Sequence, residues 1–164
     1  MITKKLKEHL DAHNIKYTTT THSPAFTAME VAAMAHVPGK QMAKVVIMHL
    51  DNRLAMAVLP ANYRINSGRM MHALHTANMR LADEAEFAHL FRDCELGAMP
   101  PFGNLYGMQT FVAQSLAEDE YITFSAGTHS EVVTLLFEDY RNLVRPKIIS
   151  FTDRFMPTEP DQDV

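Results

Sequence analysis

One segment of the chain that could form a reactive site is a stiff loop with the sequence Gly97-Ala98-Met99-Pro100-Pro101-Phe102-Gly103. Proline restricts φ and lacks an N–H group, whereas glycine lets a ligand approach the backbone closely. A loop of this kind presents backbone N–H groups to a bound molecule. Alone it is also typical of an ordinary turn, so its interpretation depends on what accompanies it.

A lysine accompanies the loop in an unexpected setting. Lys44 lies inside Gln41-Met42-Ala43-Lys44-Val45-Val46-Ile47-Met48, an otherwise apolar run that predicts a strand. An ionised side chain is costly in apolar surroundings unless it has a partner or a function. We expect Lys44 to lie on a central strand and to face a cleft beside the Gly97–Gly103 loop. The alternative is a strand residue whose ammonium group reaches solvent.

The histidines do not form a recognisable metal motif. Of nine histidines, His9 with His13 and His72 with His75 have spacings that place each pair on one helix face. Neither pair has the His-Glu-x-x-His pattern, and no cysteine cluster joins them. We interpret both pairs as solvated helix faces and expect no metal ion.

The single cysteine is a poor nucleophile by its surroundings. Cys94 lies between Asp93 and Glu95, whose negative charges would raise the pKa of a thiol. One cysteine also excludes an internal disulfide and suits a reducing compartment. The sequence thus favours a site that works without a covalent thiol intermediate.

The composition of the chain is typical of a globular protein. The chain has 164 residues, 47% of them apolar and 21% charged, which fits one domain with its own core. Its formal net charge of −4 provides no broad basic field, so any contact with RNA has to be local. The first residues show no apolar signal segment, and no run reaches membrane-spanning length. We therefore expect a cytoplasmic protein that makes no membrane contact.

The predicted elements alternate irregularly between helices and strands. Capping patterns and apolar periodicity predict helices at about 3–13, 27–35, 66–75, 83–91 and 138–144. Alternation and turn residues predict strands at about 16–22, 42–50, 54–59, 110–116, 121–125, 132–137 and 147–151. This order indicates a single α+β domain over residues 1–152, with a mixed, curved β-sheet flanked by helices. Residues 153–164 are acidic and contain prolines, and we expect a frayed tail.

Five short segments, taken in order, resemble the YbaK/prolyl-tRNA-synthetase-associated editing domain family. They are His22-Ser23-Pro24-Ala25-Phe26-Thr27, Ala43-Lys44, Val58-Leu59-Pro60-Ala61, the Gly97–Gly103 loop and Ser125-Ala126-Gly127-Thr128-His129. Each is weak alone, and together they cover roughly residues 5–150. Members of this family are small deacylases that hydrolyse wrongly aminoacylated tRNA.

The resemblance implies roles for particular residues. Lys44, Gly97 and His129 match the positions expected to act in catalysis. Those expected to bind substrate are Phe26, Thr27, Met48, Met99, Pro101, Phe102, Ser125, Gly127 and Thr128. No cofactor is implied. Val45 departs from the asparagine that often follows the lysine in alanine-editing members, and this points away from an alanyl substrate.

The implied activity is hydrolysis of a mischarged aminoacyl-tRNA that carries a small amino acid, by attack of a positioned water. Backbone N–H groups of the loop would stabilise the developing oxyanion. The implied partners are the acceptor end of tRNA and an aminoacyl-tRNA synthetase or elongation factor, for a monomer or weak dimer. Two alternatives stay open: a module on the same fold that binds an amino acid or an aminoacyl end without cleaving it, and a domain that docks on a synthetase.

Overall fold

The computed structural model describes residues 2–154 as one α+β domain built around a large mixed sheet. The helices are α1 Lys4–Ala12, α2 Ala28–Met34, α3 Ser67–Leu74, α4 Glu84–Phe87 and α5 Phe137–Val144. The strands are β1 Tyr17–Thr21, β2 Met42–Leu50, β3 Arg53–Pro60, β4 Tyr63–Ile65, β5 Met79–Leu81, β6 Gln109–Ala113, β7 Tyr121–Ser125, β8 Glu131–Leu136, β9 Lys147–Ile149 and β10 Thr152–Arg154. The expected fold class is confirmed.

The main sheet has the strand order β1-β8-β7-β2-β3-β6-β9, and β5 pairs with the far end of β2. The β2–β7, β3–β6 and β6–β9 pairs are parallel and the others are antiparallel. Strand β2 is therefore central, with β3 on one side and first β7, then β5, on the other. The lysine predicted to be functional lies on this strand.

The local signals for helix starts and the central hairpin are confirmed. Thr27 caps α2 through the N–H group of Glu30, as the Thr-x-x-Glu pattern predicts. Strands β2 and β3 pair with Leu50 opposite Arg53, which leaves a two-residue turn at Asp51 and Asn52. Asp51 takes a left-handed φ of 56°, which short polar residues tolerate best after glycine.

Some short elements were not predicted. Strands β4, β5 and β10 have three residues each, too few to show an alternating pattern. β4 and β10 form a separate two-stranded sheet beside the main one. The helix predicted at 83–91 is helical only over Glu84–Phe87 and continues as a 3₁₀ turn to Leu90.

The sheet separates the apolar core into clusters on its two faces. Ala43 and Ile47 of β2 point into the largest cluster, which also contains α1 and α5 residues. Met42 and Met48 alternate with them and point to the other face, into two smaller clusters. One of these contains Val31 and Ala32 of α2, and the other contains residues of α3, β4 and the segment before β10.

The end of the described chain is ordered into the fold. Asp153 and Arg154, which the sequence placed in the tail, pair with Arg64 and Tyr63 in the small sheet. The rest of the predicted frayed tail, residues 155–164, lies outside the described residues. Within residues 2–154, none of the helices combines the length and apolar character that a membrane span requires.

Candidate active site

The Gly97–Gly103 loop is fixed to the rest of the fold by hydrogen bonds from both sides. The N–H group of Glu95 donates to the carbonyl of Gly127 at 2.8 Å, and the N–H group of Gly127 donates to the carbonyl of Ala98 at 2.8 Å. Further along, Tyr140 Oη donates to the carbonyl of Pro101 at 2.6 Å. The loop is therefore rigid, as its prolines predict.

Two N–H groups at the start of the loop have no acceptor among the described residues. Ala98 donates to the carbonyl of Glu95 at 3.0 Å, whereas Gly97 and Met99 on either side donate to none of residues 2–154. Gly97 itself is exposed and takes a φ of +88°. A positive φ turns the peptide away from its usual direction at no steric cost for glycine. The N–H group of Gly97, on an exposed residue, is therefore accessible to a ligand.

His129 packs directly against this glycine. A β-carbon at residue 97 would lie 3.2 Å from His129 Cε1, so only glycine fits without displacement. His129 Nε2 lies 2.9 Å from the carbonyl oxygen of Leu96. Because a carbonyl only accepts, Nε2 carries the proton, and the free lone pair of a neutral ring is on Nδ1. The ring therefore supports the backbone of the loop, with its side chain 13% exposed.

The turn that carries His129 is anchored by the N-terminus. Gly127 is buried with a φ of +115°, and a β-carbon there would overlap the Thr3 methyl group. The N–H group of Thr3 donates to the carbonyl of Ala126 at 2.9 Å, while the Thr3 hydroxyl caps α1 by accepting from Leu6. Because residue 127 is a glycine, the segment that contains Thr3 can lie close against the turn.

The segment before α2 lies along the same turn. Ala25 donates its N–H to the carbonyl of His129 at 3.1 Å, and His22 donates to Ser130 at 2.8 Å. The Phe26 ring centroid lies 4.9 Å from that of His129, yet 70% of Phe26 is exposed. The loop, the turn and this segment therefore meet at one corner, which we call the Gly97–His129 corner (residues 22–27, 95–103 and 125–130).

Lys44 approaches the corner from the central strand. The parallel β2–β7 pair ends with Ala43 aligned with Phe124, the residues directly before Lys44 and Ser125. Across the other edge Lys44 pairs with buried Leu59. By alternation Lys44 faces the side of the sheet that α2 covers, between the two smaller apolar clusters.

The surroundings of Lys44 change its acid–base behaviour. Burial lowers the pKa of the Lys44 ammonium from its ordinary value of 10.5, because apolar surroundings disfavour the charged form. The side chain is half-buried, neither in the core nor fully in solvent. Lys44 thus lies on a central strand, as its apolar run predicted, whereas the cleft beside the Gly97–Gly103 loop stays a prediction.

Three of the predicted substrate-binding residues are core residues. Met99 and Phe102 belong to the large cluster on the sheet face opposite Lys44, where Phe102 contacts the rings of Phe124 and Tyr140. Met48 is on the face of Lys44 but is fully buried in the cluster beneath α3. The structure therefore gives these three side chains packing contacts and does not bring them to the surface of the corner.

The hydroxyl groups near the corner differ in what they bond. The Thr27 hydroxyl accepts from Glu30 N and donates to Glu30 Oε1 at 2.9 Å, so capping occupies it. The Thr128 hydroxyl oxygen is buried and has no hydrogen-bond partner among the described residues. Ser125 is half-buried at the end of β7. Thr128 thus differs from Thr27 in having a hydroxyl group that no described residue satisfies.

Sequence reasoning missed two residues that shape the corner. Tyr140 holds the loop at Pro101, and Thr3 fills the space that Gly127 leaves. Both contacts join segments that are far apart in the chain, so no local sequence pattern predicts them. Tyr140 does lie on the apolar face of a predicted helix, but that signal predicts only burial.

Neither Cys94 nor a metal-ligand cluster forms a second candidate centre within residues 2–154. Burial, and then the charge of Asp93, raises the pKa of the Cys94 thiol to about 12, which is the direction predicted but with burial as the larger cause. Among residues 2–154, no three or more histidine, cysteine, aspartate or glutamate side chains come together as metal ligands.

Solved structures share this fold at low sequence identity. A hypothetical protein, APE2540, superposes with a TM-score of 0.80 at 20% identity, over 92% of this chain and all of its own. A candidate trans-editing enzyme for prolyl-tRNA synthetase gives a TM-score of 0.76 at 15% identity, over 92% of this chain and 96% of its own. A signal-transduction protein candidate from Marinobacter aquaeolei gives 0.74 at 16% identity, and 31% of that longer chain corresponds to this one. These likenesses establish the fold.

Sequence comparison adds the family. No curated protein is significantly similar to this chain. The model of the aminoacyl-tRNA editing domain, however, matches residues 22–143, which include α2, the loop, the turn and Lys44. Because this match covers most of the chain, the protein belongs to the aminoacyl-tRNA editing domain family.

Proposed function

We propose that this protein is a trans-acting hydrolase that deacylates mischarged tRNA carrying a small amino acid. The observation that carries the proposal is the Gly97–His129 corner, where the N–H groups of Gly97 and Met99 have no acceptor among residues 2–154 and Gly97 is exposed. Membership of the editing family supplies the substrate class. Lys44, lowered in pKa by burial, contributes a cation on the adjoining strand.

The chemistry is direct attack of water on an ester. The water oxygen forms a bond to the carbonyl carbon, the bond to the ribose oxygen breaks, and a proton from the water passes to that oxygen. A free amino acid and an intact tRNA end are released. In the transition state the carbonyl oxygen becomes negative, and the N–H groups of Gly97 and Met99 are the donors we assign to it.

Lys44 and His129 have different parts in this scheme. The Lys44 ammonium attracts the terminal phosphate or the polarised carbonyl of the substrate. His129 is a positioning residue, because its Nε2–H holds the Leu96 carbonyl and its ring fixes the conformation at Gly97. We assign no covalent nucleophile, since burial raises the pKa of Cys94 to about 12 and keeps the thiol protonated.

The preference for a small amino acid follows from the bulk and polarity around the corner. The stiff loop restricts the space beside the ester. The unpartnered Thr128 hydroxyl, with Ser125 next to the strand of Lys44, favours a substrate with its own hydroxyl over a purely apolar one. Serine and threonine are therefore the amino acids we expect to be removed fastest.

We also propose that the protein works in the cytoplasm, as a monomer or weak dimer, with a partner that delivers the tRNA. The net charge of −4 does not favour strong independent binding of RNA. A protein similar in fold is named as a candidate trans-editing enzyme for prolyl-tRNA synthetase. A synthetase or an elongation factor is the kind of partner that would compensate for weak binding.

A panel of mischarged tRNAs tests the proposal. Purified protein is incubated with tRNA charged with alanine, serine, threonine, cysteine, leucine or phenylalanine, and release of the amino acid is followed in single turnover. We expect the small residues to be released fastest, and Lys44→Met to abolish release. Fastest release of leucine or phenylalanine would contradict the size preference, and binding without release of any would favour the non-catalytic binding module.

A further inference from the structure

The exposed ring of Phe26 lacks a role in the scheme above. Phe26 is 70% exposed, the largest exposure among the large apolar side chains of the described residues. A wall of an amino-acid pocket would be mostly covered, because such pockets enclose most of their ligand. Its surroundings are nevertheless fixed, since Ala25 donates to the His129 carbonyl and Thr27 caps α2. Phe26 is therefore an exposed aromatic ring on a rigid backbone.

The position of the ring relates it to the reacting ester. The Phe26 centroid lies 4.9 Å from the His129 ring, and that ring lies against Gly97, where we place the oxyanion. The His129 ring thus lies between Phe26 and the backbone at which the ester is attacked. In an aminoacyl-tRNA, the ribose that carries the ester also carries the terminal adenine, which is unpaired. When the ester of this ligand lies at Gly97, the adenine is therefore separated from it by a single ribose.

We infer that Phe26 is a stacking platform for the terminal base of the tRNA. The inference rests on the proposed function and names a contact within it. The His129 ring is tilted by 49° to that of Phe26, and 70% of Phe26 is exposed, so His129 does not stack on the Phe26 ring and leaves most of it accessible. Stacking on an aromatic ring suits any base and needs little positive charge, which fits this acidic chain.

Substitutions that separate stacking from simple apolar contact test the inference. Phe26→Leu keeps an apolar side chain but removes the ring, and Phe26→Tyr keeps the ring. Tyr121→Leu is the matched control, because Tyr121 is also an exposed aromatic residue, at 44%, but lies at the opposite end of β7 from Ser125. An exposed position makes unfolding of these variants unexpected, and circular dichroism checks it.

The first measurement uses uncharged tRNA whose terminal adenine is replaced by 2-aminopurine, a base whose fluorescence falls on stacking. We expect the fluorescence to fall with the wild-type protein, Phe26→Tyr and Tyr121→Leu, and to stay high with Phe26→Leu. Equal quenching by Phe26→Leu and the wild type would overturn the inference.

The second measurement is deacylation of mischarged tRNA. We expect Phe26→Leu to raise KM roughly 5- to 150-fold, the range that base stacking gives in alanine substitutions, without changing kcat. A change in amino-acid preference instead would make Phe26 part of the amino-acid pocket and overturn the inference. Failure of the proposed function looks different: the wild type would then release no amino acid, whatever its quenching of 2-aminopurine. The absence of wild-type quenching, with or without deacylation, also rejects the platform.

Discussion

Tyr140 Oη donates a 2.6 Å hydrogen bond to the carbonyl of Pro101, and both residues are buried. Burial raises the pKa of the Tyr140 phenol far above its ordinary value, so the group remains a donor throughout the working pH range. The bond joins α5 to the middle of the Gly97–Gly103 loop, across 39 residues of chain. The conformation of the candidate site thus depends on a helix whose residues lie outside the Gly97–His129 corner.

Removing this hydroxyl should weaken both the fold and the loop. Tyr140→Phe leaves the Pro101 carbonyl buried without its donor, which costs about 1–3 kcal/mol of unfolding free energy. We expect urea denaturation to show this loss and the rate of deacylation to fall with it. Tyr121→Phe, which removes an exposed hydroxyl, is the control and should change neither value. Equal stability of Tyr140→Phe and the wild type would show that the bond contributes nothing.

Gly97→Ala tests the contact between the loop and His129. Alanine at a φ of +88° is strained by about 1–3 kcal/mol, and its β-carbon would also lie 3.2 Å from His129 Cε1. Displacement of the ring should disturb the N–H donors, and loss of oxyanion donors typically reduces the rate about 10²–10³-fold. We expect kcat to fall by about this factor while binding of the tRNA changes little.

Gly107→Ala separates the two effects of that substitution. Gly107 also has a positive φ, +72°, but no atom lies within 4 Å of the position of a β-carbon. This variant should therefore lose stability through backbone strain alone and keep its activity. If kcat falls as much in Gly107→Ala as in Gly97→Ala, general destabilisation explains both losses. The contact between residue 97 and His129 would then not be what maintains the rate.

The sequence predicted the elements of this fold better than the contacts between them. Capping at Thr27 and the turn at Asp51 and Asn52 were predictable because their causes lie within four residues. Lys44 stood out because a charge in an apolar strand is rare. The burial of Met99 and Phe102 away from Lys44 was not predictable, because it depends on which sheet face the loop packs against. Likewise, the partners of Tyr140 and Gly127 are distant in sequence.

Lys44→Met should increase stability at neutral pH while it abolishes deacylation. Because burial lowers the pKa of Lys44 below its unfolded value of 10.5, the unfolded chain holds the proton more firmly between these two values. The stability of the wild-type protein therefore rises with pH between the folded and unfolded pKa values of Lys44. At pH values below both, Lys44 is charged in both states, and the full cost of its buried charge lowers the stability of the folded state. Methionine carries no charge and has a similar volume.

The measurement compares urea denaturation of the two proteins from neutral pH to above 10.5. We expect the advantage of Lys44→Met to be largest at neutral pH and to shrink as the pH approaches 10.5, because other groups titrate alike in both proteins. A difference independent of pH would mean that burial does not shift this lysine. Deacylation by Lys44→Met at the wild-type rate would remove Lys44 from the mechanism.

Thr128→Val tests the source of amino-acid preference. The Thr128 hydroxyl oxygen is buried and has no hydrogen-bond partner among residues 2–154, so its replacement by a methyl group should leave stability unchanged or raised. If this hydroxyl binds that of a seryl or threonyl substrate, kcat/KM for these substrates should fall relative to alanyl-tRNA. Thr27→Val is the contrasting variant, because it removes the cap of α2 and should cost about 0.5–2 kcal/mol of stability without selective loss for one substrate. Competition between seryl- and alanyl-tRNA in one reaction measures the selectivity directly, and an unchanged ratio in Thr128→Val would assign the preference to another group, of which Ser125 is the nearest candidate.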